Sequence, residues 1–533
     1  MPAEFVPGLF ADELELQFEK SPDFTIMTFD NGEYGDETVT YGDIFTKGCT
    51  LAKVLRDAGI GKGDRFSLVM RNHPEFVYAL MAASLTGTLV VPIDPRSKGG
   101  KLSYQIKDSG SKGIFLTNEF IADTESALKE APAARILGIA YKEGFKESYR
   151  PEYPSLNELL AGPAVPPPDD RNRDANGPFE IIYTSGTTGD PKGVVVKANR
   201  MAMFKLLAQL IWQYRPDDKL YTGLSLTHGN AQAVTTIPSL MLGIPCVISR
   251  KFTKSRIWDV CRKHGCTSFS LLGGMMMGIY SEPSRDNDAD NPVRLVLSAG
   301  TPIPIWESFE TRFNVKIHEW YGAVEGGFAH NPPGAGPTGS FGKPIEGIME
   351  MKVVREDDTE CAPGEIGELI SRMVGQKEEV QYHGKKEASE AKTRGGWLRS
   401  GDMCHGDENG WFFFDFRKGG GLRRQGDFIQ PEFVEKACAE LPEISDVCVY
   451  GIPAESGAPG ESDIVAAIVP ASGITIDPKK IFMAIASSLD NNSIPSFLQV
   501  VEEIPKTASE KNLDRVLRDE FRKDAPNVHR IKN

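Results

Sequence analysis

One stretch of the sequence gathers the groups that grip phosphate. Residues 183–193 read Tyr183-Thr184-Ser185-Gly186-Thr187-Thr188-Gly189-Asp190-Pro191-Lys192-Gly193. The glycines let the backbone turn tightly and bring N–H groups close to an anion. Thr184, Ser185, Thr187 and Thr188 supply four hydroxyls, and Lys192 supplies a positive charge. The apolar, β-prone run 179–183 leads straight into this loop and gives it a rigid base. It is not a Walker A loop, because Gly-Lys-Ser/Thr is absent. An ordinary surface turn rarely needs so many hydroxyls and a lysine directly after a buried strand.

The surrounding chain indicates what holds the loop. Residues 41–58 carry apolar positions at helical spacing and stop at Gly59. A β-rich run at 64–70, a helical run at 75–85 ended by Gly87, and a second strand at 88–92 follow. Strand–helix–strand alternation predicts a parallel α/β architecture. The Pro-, Gly- and charge-rich stretch 161–178 reads as a surface connection, and Lys418-Gly419-Gly420-Gly421 as a flexible joint. The chain has 533 residues, 40% hydrophobic and 25% charged, which is ordinary for a globular protein of several domains. A net charge of −14 disfavours nucleic acid and anionic lipid as broad partners. No apolar run approaches a membrane span, and eight scattered cysteines suit a reducing, cytoplasmic setting. Cys261 and Cys266, with His264 between them, read as ordinary thiols because no second half of a metal site follows.

With these motifs in order along nearly the whole chain, the sequence resembles the adenylate-forming acyl-CoA synthetases, relatives of peptide-synthetase adenylation domains and firefly luciferase. The carnitine/crotonobetaine and fatty-acid CoA ligase branches are the nearest in pattern. Thr40-Tyr41-Gly42-Asp43, Gly61-Lys62-Gly63-Asp64-Arg65 and Val90-Val91-Pro92 open the likeness. Ser298-Ala299-Gly300-Thr301-Pro302 looks like the adenine-side loop, and Tyr321-Gly322-Ala323-Val324-Glu325 like the YGxTE motif. Ser400-Gly401-Asp402 looks like the TGD motif, Arg417 like the hinge arginine, and Lys506 to Lys511 like the segment ending in the catalytic lysine.

The resemblance implies a fold and a set of roles. The fold is α/β: a large N-terminal domain of mainly parallel αβ subdomains with a β-barrel-like part (1–416), a hinge (417–421), and a small mobile α+β domain (422–533). Thr184, Glu325 and Lys511 would be catalytic, with Thr184 and Glu325 holding Mg²⁺. Ser185, Gly186, Thr187, Thr188, Lys192, Gly300, Thr301, Pro302, Tyr321, Gly322, Asp402 and Arg417 would join Thr184 and Lys511 around ATP or AMP. Asp402 would accept from ribose hydroxyls and Tyr321 would stack on adenine. His228, Gly273 and Met275 would border the acyl pocket, although the run Met275-Met276-Met277 reads equally as a methionine-rich core helix. Arg423, Arg424 and Gly426 would meet CoA.

The expected reaction joins a fatty or other apolar acid to CoA with ATP, through an acyl-adenylate. A stand-alone adenylating enzyme and a catalytically idle nucleotide-binding relative are the alternatives, and a homodimer is allowed. Five residues depart from the family pattern: Val324 for threonine, Gly419 and Gly420 for an acidic hinge residue, Glu510 for glycine, and Ala198 for histidine.

Overall fold

The computed structural model describes residues 8–144, 149–184, 191–418, 422–424, 427–429, 431–455, 462–486, 488–489, 493–507 and 510–530. The side chains of Arg423, Asp427 and Phe428 lie outside that description.

Local chemistry sets the first elements. The helix Tyr41–Asp57 begins at Thr40, whose hydroxyl accepts from the Asp43 N–H while the Asp43 carboxylate accepts from the Thr40 N–H. This capping box satisfies two donors that the first turn leaves open. The helix Pro74–Thr86 opens on proline and closes at Gly87, whose φ of 68° favours glycine. Nearly every one of its side chains is buried, so it is an internal helix rather than an amphipathic one.

Four sheets organise the described residues. A six-stranded sheet runs Arg135–Ala140, Ser111–Thr117, Arg65–Val69, Leu89–Pro92, Pro178–Thr184 and Lys192–Lys197. All neighbours are parallel except the last pair, which the phosphate-type loop joins. A thirteen-stranded sheet has a parallel centre: Thr25–Asp30, Cys246–Ser249, Leu220–Thr222, Ser268–Leu272, Leu295–Ala299 and Lys316–Ala323. Six antiparallel strands continue it, from Gly326–Asn331 to Met349–Val354. Those strands are the part of the large domain that departs from the parallel αβ pattern. A ribbon of Leu422–Arg424 with Asp427–Ile429 leads into a four-stranded sheet built on Ile444–Pro453 and Ser462–Pro470. Helices Pro431–Ala439 and Pro478–Ala486 pack with it.

Candidate active site

Three strand ends bring the motif residues together. Thr184 closes the strand Pro178–Thr184 and pairs with Lys192, and its hydroxyl reaches the Lys192 carbonyl at 3.4 Å. Ser185, Gly186, Thr187 and Thr188, in the loop between these strands, lie outside the described residues. Lys192 Nζ stands 5.3 Å from the centre of the Tyr382 ring, and the Tyr382 hydroxyl donates to Glu325 Oε1 at 2.9 Å. Glu325 Oε2 has no hydrogen bond among the described residues. Tyr382 therefore links the lysine of one motif to the acid of another. It reaches them because 381–383 pairs antiparallel with 193–195.

The second convergence lies on neighbouring antiparallel strands. Asp402 on Leu398–Gly406 is in register with Arg417 on Phe412–Arg417. Arg417 Nη1 donates to Asp402 Oδ1 at 2.7 Å, and the Tyr321 hydroxyl donates to Asp402 Oδ2 at 2.6 Å. Each carboxylate oxygen keeps a lone pair for a further donor. The Tyr321 ring packs 4.7 Å from that of Phe341. A Cβ at Gly322 would stand 2.9 Å from the Trp320 ring and 3.3 Å from the Gly327 carbonyl, so any larger residue there would have to displace the ring.

The loop 298–302 is stitched from below by a residue the sequence reading did not single out. Glu319 Oε1 accepts from the Gly300 N–H at 2.6 Å, and Oε2 accepts from the Thr301 hydroxyl at 2.6 Å. Thr301 N–H donates to the same carboxylate at 3.2 Å. Burial pushes the Glu319 carboxyl up to about 7. Gly300 has φ 80°, and Pro302 packs near Gly273. The only forewarning of Glu319 is an acid inside a buried strand, which requires partners.

The small domain supplies Lys511 to this group. Lys511 is an exposed residue, yet the surrounding protein desolvates its ammonium and Arg417 opposes it, so its pKa falls below the ordinary lysine value. Asp402 partly offsets this. His228 also senses Lys511, and burial brings its imidazole down to about 4, so it is neutral at ordinary pH. Lys392 is a further cation here: it donates to the Ser400 carbonyl at 3.1 Å, and its charge interacts with Glu325, Asp402 and Arg417. No motif announced Lys392.

The chain matches the AMP-binding enzyme family over residues 14–375 and the AMP-binding enzyme C-terminal domain over residues 434–511. The chain belongs to the AMP-binding enzyme family. It is 27% identical to long-chain fatty acid transport protein 5 of Homo sapiens, covering 97% of this chain and 78% of that protein. It is also 27% identical to a medium/long-chain-fatty-acid–CoA ligase of Mycobacterium marinum, covering 91% and 93%. The crystal structure of an anthranilate CoA ligase in complex with anthranoyl-AMP superposes with a TM-score of 0.82 at 22% identity, covering 97% and 98%.

In this AMP-binding enzyme a cavity of about 870 Å³ extends from Glu325 and His228 into the large domain. Phe204, Leu207, Trp212, Trp320, Phe328 and Met349 give it an apolar wall. Leu272 borders it, whereas Gly273 and Met275 do not. Met275 and Met276 are fully buried in the main core, because the helix Gly273–Tyr280 turns them inward. The core-helix alternative thus describes this methionine run, and the cavity wall comes instead from the helix Asn199–Leu210 and from strands of the large sheet. Arg424 is held by the Ile494 carbonyl within the small domain, and Gly426 lies outside the described residues. Among the described residues no helix is long and apolar enough to cross a membrane.

Proposed function

We propose that this AMP-binding enzyme is an acid–CoA ligase that makes acyl-CoA, AMP and diphosphate from a large apolar carboxylic acid, ATP and CoA. The observation that carries the reading is the meeting of Lys511, Asp402, Arg417 and Glu325 beside the apolar cavity. A carboxylate seated with its chain in the cavity directs an oxygen at the α-phosphorus of ATP. That P–O bond forms as the bond to diphosphate breaks, and negative charge moves to the departing oxygens. Lys511 and Lys192 would meet this charge, and cations in a water-poor cleft act most strongly there. Asp402 accepts from the ribose. Mg²⁺ would be held by Glu325, whose Oε2 is open to an ion that prefers oxygen, together with Thr184, and it supplies charge that offsets the phosphates.

In the second half-reaction the CoA sulfur attacks the acyl carbonyl, the bond to AMP breaks, and the thiol proton leaves to solvent. Lys511 has to withdraw for CoA to enter, and rotation about 417–421 would do this, turning the ribbon at Arg423, Arg424 and Gly426 toward the site. The likeness of the two matched domains to such ligases supports this cycle. The free cysteines support a cytoplasmic location.

The test is diphosphate release across a panel of acids, with and without CoA, and acyl-CoA detection by mass. Diphosphate release and acyl-CoA formation on an apolar acid are expected. Release with no acyl-CoA would replace the reading by a stand-alone adenylating enzyme, and ATP binding without release by an idle one.

A further inference from the structure

The cavity is apolar over most of its wall, yet several buried polar side chains also border it. Glu180 sits in the middle of the strand Pro178–Thr184 and is fully buried at the cavity's edge. Its Oε1 accepts from Gln232 Nε2 at 2.7 Å, while its Oε2 has no partner. Gln232 cannot serve both oxygens, because the second proton of its amide goes to the Leu226 carbonyl at 2.9 Å. Asn230 borders the same cavity, is 4% exposed, and has neither its Oδ1 nor its Nδ2 partnered. The indole N–H groups of Trp212 and Trp320, also on this cavity, are unpartnered as well. Buried polar groups are almost always hydrogen-bonded, so four such residues around one cavity indicate that the cavity's occupant completes them.

We propose that the acid substrate carries a hydroxyl group far from its carboxyl, and that Glu180 and Asn230 receive it. This rests on the ligase reading above. The hydroxyl hydrogen goes to Glu180 Oε2 or Asn230 Oδ1, and its oxygen accepts from Asn230 Nδ2 or an indole N–H. Glu180 stands four residues before Thr184 on one strand, so it lies roughly 13 Å from the phosphate end. The hydroxyl therefore belongs at the distal part of a long or polycyclic acid, with an apolar skeleton between the two ends. Burial raises the Glu180 carboxyl to about 7, so near neutral pH it both donates and accepts. A site built to bond a hydroxyl rejects the analogue that lacks it far more strongly than an apolar wall rejects an extra methylene.

The experiment is calorimetric binding to the full chain, in the presence of AMP, of straight-chain acids from octanoic to hexadecanoic. Each is compared with its ω-hydroxy counterpart, and acyl-CoA formation is measured alongside. At one chain length the ω-hydroxy acid should bind at least about tenfold tighter than the plain acid. Glu180→Met should abolish that preference while the plain acid binds as well as before. Asn230→Leu, on a different element, should reduce it too, and serves if Glu180→Met does not fold. Equal affinity for both members of every pair, or a preference that survives both substitutions, overturns the proposal. A binding preference without acyl-CoA formation upholds the hydroxyl subsite and retires the ligase reading alone.

Discussion

Arg417 and Asp402 face one another in register on adjacent antiparallel strands, and their side chains meet at 2.7 Å. Arg417 is the last residue of its strand, just before the glycine joint. The pair thus ties the start of the predicted hinge to the carboxylate predicted to hold ribose. Tyr321 donates to the other oxygen of Asp402, so the acid is held from two sides. Asp402→Asn keeps the shape and removes the charge. ATP affinity is expected to fall about ten- to a hundredfold, the scale of hydrogen bonds to a charged group. Calorimetric titration with ATP checks this, and an unchanged affinity would remove Asp402 from the nucleotide site.

Lys511→Ala should slow adenylation by about two to three orders of magnitude, since such groups contribute about 3–4 kcal/mol to a barrier. Lys511 is an exposed residue, so the melting temperature should stay close to that of the native protein. Single-turnover diphosphate release measures the first effect and thermal unfolding the second.

The lowered pKa of Lys511 gives a pH signature. The charged form is the active one. As pH rises, a group with a depressed pKa loses its proton earlier than an ordinary lysine, so adenylation should decline on the alkaline side before the usual lysine range. Lys511→Arg, which stays charged, should move that decline to higher pH. A pH–rate profile of both proteins decides it.

Glu510 has φ 57°, the left-handed region that glycine enters freely. Its side chain meets Arg96 of the large domain at 3.1 Å, and Arg96 also donates to the Lys506 carbonyl at 3.0 Å. An acid therefore occupies a glycine position at the cost of backbone strain, with an ion pair to the other domain as partial return. Glu510→Ala loses the pair and keeps the strain, whereas Glu510→Gly loses both. The glycine variant should be the more stable of the two by about 1 kcal/mol. Chemical denaturation of both variants tests this ordering.

The Glu319 carboxyl, held up at about 7 by burial, binds its proton more tightly folded than unfolded. Its contribution to stability therefore grows as pH falls from 7 toward the unfolded value near 4.5. Relative to Glu319→Gln, the native protein should gain stability between pH 7 and pH 5. A flat difference across that window would mean that the carboxyl is ionised throughout.

The local elements were legible in the sequence because their causes are local. Thr40 and Asp43 cap a helix three residues apart, Gly87 ends one with a positive φ, and residues 64–92 alternate strand and helix. The motif residues were legible as types: a hydroxyl-rich loop, an acid after a strand, a lysine near the end. What they do to one another was not. Glu319 under the loop at Gly300, Tyr382 between Lys192 and Glu325, and Glu180 at the cavity's edge with its Oε2 unpartnered are fixed by strand order and by contacts between residues far apart in the chain. The methionine run shows the same limit from the other side. Its composition suits a pocket or a core equally, and only the direction in which the helix Gly273–Tyr280 faces put Met275 and Met276 in the core. Periodicity and turn chemistry act over a few residues, so the sequence by itself determined the elements and the reactive groups. Burial and pairing depend on which elements come to lie side by side, and only the tertiary structure decided those.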